Sequence, residues 1–139
     1  MRFLSVVARI SLVYDVLVGI VMLAATDLLA SVFGVPPPTP VLFAKLLGIF
    51  LICVGLGYIA PARDPQAHRA YLWIFGPGLK GAGAIAFVAD YLMNGSPRAF
   101  LLFAASDATL AAVTLFGLLR LSAESSARPE IRRASQSVR

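Results

Sequence analysis

Cysteine and histidine are almost missing: Cys53 and His68 are the only ones in 139 residues. One cysteine makes no intrachain disulfide and no metal cluster, and one histidine supplies no haem pair. No cofactor is therefore expected, neither haem nor zinc nor iron–sulfur. No Ser-His-Asp set and no phosphate-loop glycine spacing is present, so the balance is against an enzyme. Charge is scarce as well. Only 14% of the residues are charged, where a soluble domain carries about a quarter.

Apolar residues fill the space that charge leaves. They make up 59% of the chain, and the mean hydropathy is +0.84. Both values point to an integral membrane protein whose solvent is the lipid bilayer. At roughly 20 residues per span, one bundle of about four helices uses most of the length. The expected fold is an all-α, four-helix transmembrane bundle. Its spans are placed at about 10–32, 41–60, 70–93 and 98–121, followed by a flexible basic tail over 122–139. The first apolar run is too long for a signal h-region and is interrupted by Asp15, so it reads as a retained span.

Punctuation residues support these boundaries. Gly34 can end the first helix in a left-handed conformation, and Val35-Pro36-Pro37-Pro38-Thr39-Pro40 is a stiff, uncharged connection. Thr39-Pro40, Asp64-Pro65 and Ser96-Pro97 share a start signal, in which an oxygen-bearing side chain precedes a proline that lacks the N–H a first turn would orphan. Gly48 and Gly55 lie seven apart on one face, where small residues let helices approach closely in lipid.

The net charge of +5 is distributed by side. With four spans, Arg2, Arg9, Arg63, Arg69 and the arginines from Arg120 onward share one face of the membrane, and Arg98 with Lys45 lies towards the other. The positive-inside rule then puts both termini in the cytoplasm. Basic charge sorted in this way reads as membrane orientation, and no nucleic-acid partner is expected.

Lys80, Asp107 and Asp15 fall well inside the apolar runs. At about 1.5 Å per residue, Lys80 lies roughly 16 Å beyond Arg69 and Asp107 roughly 13 Å beyond Arg98, both close to mid-membrane. Lys80 is accordingly expected to pair with Asp107. Asp15, only about 9 Å past Arg9, is placed in the cytoplasmic leaflet next to Tyr14. There Lys80 can reach it only as a second partner, by extending its flexible stem. Asp27, Lys45 and Asp90 fall near the outer interface and are expected to form a second charge cluster. Pro77 removes a helical hydrogen bond one turn before Lys80, which makes the Trp73 carbonyl a candidate ligand or hinge.

From Tyr14 to Arg120 the chain resembles the small bacterial four-helix membrane proteins called DoxX-like. The resemblance rests on Phe33-Gly34-x-Pro36, Leu46-Leu47-Gly48, Gly55-x-Gly57-Tyr58, Ala62-Arg63-Asp64-Pro65, Leu79-Lys80-Gly81 and Ser106-Asp107. It implies a helical bundle in the bacterial inner membrane and carries over no activity. Two functions are expected. The first is a non-enzymatic subunit or accessory protein of a membrane assembly, as a homo-oligomer or within a larger complex. The alternative is a binder, transporter or modifying enzyme for a small amphiphile, such as a quinone, an isoprenoid or a lipid. Its candidate site is Lys80, Asp107, Asp15 and Tyr14.

Overall fold

The computed structural model describes the backbone of residues 2–136 and the side chains of residues 2–123. Every regular element among them is helical. The elements are α1 (Arg2–Ala24), α2 (Thr26–Phe33), α3 (Leu42–Gly57), α4 (Ile59–Arg63), α5 (Arg69–Trp73), α6 (Gly81–Asn94) and α7 (Leu101–Gln136). A π-helical segment, Ile74–Lys80, joins α5 to α6, and a short 3₁₀ turn, Arg98–Phe100, leads into α7. Four stretches are long and apolar enough to cross a membrane: Arg2–Ala24, Leu42–Arg63, Arg69–Asn94 and Arg98–Ala123. The tail expected at 122–139 lies almost wholly outside the residues with described side chains, and the helical backbone of α7 continues to Gln136.

Only 17% to 28% of each span's apolar window is buried inside the bundle. Phe3, Val6, Ile10, Val13, Leu17 and Ile20 are all about half exposed along α1. Water would not tolerate such a surface and lipid does, so this is a membrane bundle.

The first span differs from the sequence expectation of 10–32. It starts at Arg2 and ends at Ala24, eight residues earlier. The chain breaks at Ala25, which has φ −137° and ψ 41°, and the Thr26 hydroxyl then donates back to the Met22 carbonyl at 2.5 Å. A continuous apolar composition hid this break. Arg9, from which the depth of Asp15 was counted, is an exposed residue within α1, where a long side chain can carry its charge outward. The remaining spans agree with expectation within three residues. Gly34 does end α2 in the left-handed region, at φ 66°.

The shared start signal is used once. Asp64 Oδ1 accepts the backbone N–H groups of Gln66 (3.0 Å) and Ala67 (3.1 Å) ahead of α5. No side-chain cap starts α3 or the 3₁₀ turn, because Ser96 donates to Asp90 instead.

Glycine sets the closest helix contacts. A Cβ on Gly48 would lie 2.8 Å from the Gly19 carbonyl, and one on Gly19 would lie 2.6 Å from that of Gly48. Gly55 meets Val16 in the same seam. At the far side, Gly76 sits against Thr114 and Gly117 against Leu4. The close approach expected for Gly48 and Gly55 is therefore made within this chain, between α1 and α3. Arg69 donates to the Ser122 hydroxyl at 2.5 Å, which ties the start of the third span to the end of the fourth.

The π-helical segment sets the azimuth of the third span. Its buried positions are Leu72, Gly76, Lys80 and Ala84, one every four residues. In an α-helix such a series drifts by about 40° per step, roughly 120° over the three steps. A π turn adds one residue to the helix and takes back about 100° of that drift. The same turn accommodates Pro77, because its hydrogen bonds reach one residue further back than those of an α-helix. All four residues thus face inward on one line.

Gly48→Ala should cost about 1–3 kcal/mol in a detergent unfolding titration, through overpacking of the α1–α3 seam. Gly81→Ala should stay within about 0.5 kcal/mol of the parent, because its nearest neighbour, Ala111 Cβ, is 3.9 Å from the new methyl. Equal costs for the two would argue against this seam.

Candidate functional site

Lys80 is 4% exposed and stands at the end of the π-helical segment. Its Nζ donates to Asp15 Oδ1 at 2.5 Å. Asp107 Oδ1 lies 3.7 Å away, at ion-pair distance and without a hydrogen bond. The order of partners is the reverse of the expectation: Asp15 is the first and Asp107 the second. The cause is the register of the first span. With α1 starting at Arg2, Asp15 lies about 20 Å into the span from that end and Lys80 about 16 Å from Arg69 on the same side. Counting from Arg9 had left Asp15 about 10 Å too shallow. All three groups therefore share the middle of the bundle. A buried cation without a partner at that depth is costly, and so is a buried carboxylate.

Tyr14 completes the group. Lys80 Nζ is 4.8 Å from the centre of its ring. The Tyr14 hydroxyl is 2.8 Å from Ser106 Oγ. Ser106 gives its own proton to the Phe103 carbonyl at 3.0 Å, so Tyr14 is the donor to Ser106. The structure thus brings together the four residues expected as a site, from α1, the π-helical segment and α7. The expected outer cluster does not assemble. Among the described residues no ion pair joins Asp27, Lys45 and Asp90. Asp27 and Lys45 are exposed, and Asp27 lies in the first turn of α2, where the helix dipole favours an anion. Asp90 accepts hydrogen bonds from Asn94 (2.6 Å) and from Ser96, closing the helix that ends at Gly95. Similar depth did not bring similar azimuth.

Lys80, Asp15 and Asp107 form the polar floor of a cavity of about 570 Å³. Its other walls are apolar and come from α1, α2, α3, the third span and the start of the fourth, with Pro36 and Pro38 of the stiff loop. Four rings make one side: Phe33 stacks on Phe100 at 5.2 Å and on Phe103 at 5.1 Å, and Phe87 lies 5.7 Å from Phe103. The opposite wall on α3 is open. Phe43, Leu47 and Phe50 line the cavity yet are 68%, 47% and 45% exposed. α1 packs along α3, and α6 along α7, whereas α3 and α6 form no comparable interface. The cavity therefore reaches the lipid-facing surface.

Helical spacing puts Phe87 on the face of Lys80, and Phe100 and Phe103 on that of Asp107. Phe33 is not legible in this way, because its meeting with them depends on the break at Ala25 that turns α2. Nor is the role of Tyr71. The Tyr58 N–H turns to the Gly55 carbonyl at 3.0 Å, and the Tyr71 hydroxyl donates to the Val54 carbonyl at 2.5 Å. Gly57 makes room for that hydroxyl. Tyr58, 1% exposed, packs edge-on against Tyr71 at 5.1 Å. This layer closes the bundle on the arginine-rich side of Asp15.

Among the described residues no group of three or more His, Cys, Asp or Glu could hold a metal ion. No family model, no curated protein and no solved structure matches the chain.

Removing the cation should be the most damaging single change, because it leaves two buried carboxylates facing each other. Lys80→Met is expected to cost about 3–5 kcal/mol. Asp15→Leu should follow, and Asp107→Leu should cost least, since it breaks only the 3.7 Å contact. Unfolding titrations in one detergent give the ranking. Asp107→Leu costing more than Asp15→Leu would contradict the partner order.

Proposed function

We propose that this chain is a small multi-pass protein of the bacterial inner membrane, with both termini cytoplasmic, that binds an amphiphile between its helices. The amphiphile's head meets Lys80, Asp15, Asp107 and Tyr14, and its apolar part lies against the phenylalanine wall. One observation carries this reading: the mid-membrane ion group does not close on itself but forms the floor of a cavity open towards lipid. A structural ion pair needs no such space, and ligand sites are concave, mostly apolar and marked by a few converging polar groups. An opening in the outer wall is the entry an amphiphile dissolved in the bilayer requires. Quinone, isoprenoid and lipid all fit that description. The distribution of arginine supports the orientation.

The competing role, as a subunit of a homo-oligomer or larger complex, drew on small size, glycine-lined faces and the lack of a catalytic constellation. Gly19, Gly48, Gly55, Gly57, Gly76 and Gly117 all meet groups of this same chain, so they no longer argue for a partner. The DoxX-like affiliation stays a proposal resting on the sequence motifs and the four-span outline.

Filling the cavity should abolish binding without disturbing the ion group. Ala44 lines the cavity on α3, and Ala44→Phe is expected to lower the retention of co-purified amphiphile at least ~10-fold, read by mass spectrometry of organic extracts. Parent protein that carries no amphiphile above the level of an unrelated four-span protein would contradict the proposal.

A further inference from the structure

We propose that the cavity selects an organic cation: an amphiphile with an ammonium or similar positive head. The inference rests on the reading of the cavity as an amphiphile site and adds the sign of the head group. It starts from a charge count. Lys80 is the only cationic residue among the cavity's described lining residues, and Asp15 and Asp107 both line it. One ammonium thus faces two carboxyl groups. Lys80 is committed to Asp15 at 2.5 Å and leaves Asp107 Oδ1 3.7 Å away.

Hydrogen bonding points the same way. Asp15 Oδ2 and Asp107 Oδ1 are buried and accept no hydrogen bond. The Asp15 side chain is only 2% exposed. The Tyr14 and Ser106 hydroxyls are engaged with Ser106 and with the Phe103 carbonyl. The floor thus holds two carboxyl groups against one ammonium, and a protonated amine supplies the missing positive charge together with N–H donors. An anionic head would meet two carboxylates against one lysine.

The ring beside the floor is the independent observation. The Tyr14 face already carries the Lys80 ammonium at 4.8 Å. The face of an aromatic ring is its negative side, and a desolvated cation gains from it. An alkyl alcohol or a carboxylate gains nothing comparable.

The test uses the full chain in lipid nanodiscs and three probes with one twelve-carbon tail: dodecylammonium, dodecanol and dodecanoate. Equilibrium dialysis of labelled probe, corrected for empty discs, reads binding. The cation should bind at least ~10-fold more tightly than the alcohol, and the carboxylate weakest. Asp107→Asn should remove most of that preference. Phe103→Leu keeps every charge and should weaken the three probes alike, leaving their order unchanged. The order of the probes on the parent chain decides the matter if Asp107→Asn does not fold. Alcohol or carboxylate binding as tightly as the cation would overturn the inference and leave the amphiphile site standing. No saturable binding of any probe would overturn both.

Discussion

A lysine ammonium in the middle of a hydrocarbon layer has to be answered by the protein itself, because no water is there to do it. Much of this bundle can be understood as the answer. Asp15 must come from α1 at the same depth as Lys80, and it does so because α1 begins at Arg2. Lys80 must point inward, and the extra residue of the π-helical segment turns it there. Asp107 must approach from α7, and Gly83 leaves it space: a Cβ at Gly83 would lie 3.3 Å from Asp107 Oδ2. The ion group is thus a meeting point of three spans, each with its own device for reaching it.

The second constraint is that lipid gives no hydrophobic drive to pack helices against each other. Close fit has to replace it. The α1–α3 seam is built on Gly19, Gly48 and Gly55, with backbones near contact. Hydroxyls resolve the backbone where helices break: Thr26 at the end of α1 and Tyr71 at the end of α3. Side chains that look like isolated polar errors in an apolar run are there for carbonyls the helices leave free. Where no such device exists, between α3 and α6, the bundle does not close, and the cavity occupies that place.

Much of the architecture was legible in the sequence. Composition gave a membrane bundle, and proline and glycine gave three of the four spans within a few residues. The end of the first span was misplaced because its apolar composition runs unbroken through Ala25, and the depth of Asp15 was counted from Arg9, seven residues inside the helix that starts at Arg2. The partner order at Lys80 followed from that count. The members of the site were legible as charges in apolar runs, since depth is a count along one chain. The outer cluster failed for the complementary reason. Asp27, Lys45 and Asp90 agree in depth, but whether they meet depends on azimuth, which a count does not supply. The cavity was not legible at all, because it is a property of the gaps between elements.

The π-helical segment also bears on how sequences related to this one must be compared. A π turn is an α-helix with one residue inserted. A relative that lacks one residue between Ile74 and Lys80 would close that turn to ordinary α-helix. Tyr71 and Lys80, nine residues apart here, would then be eight apart and keep about the same angle between them. A relative of equal length with an unbroken α-helix would instead put them on opposite sides of the helix. Homology across this stretch is therefore carried by an alignment with a one-residue gap, and a gapless match can be the wrong one.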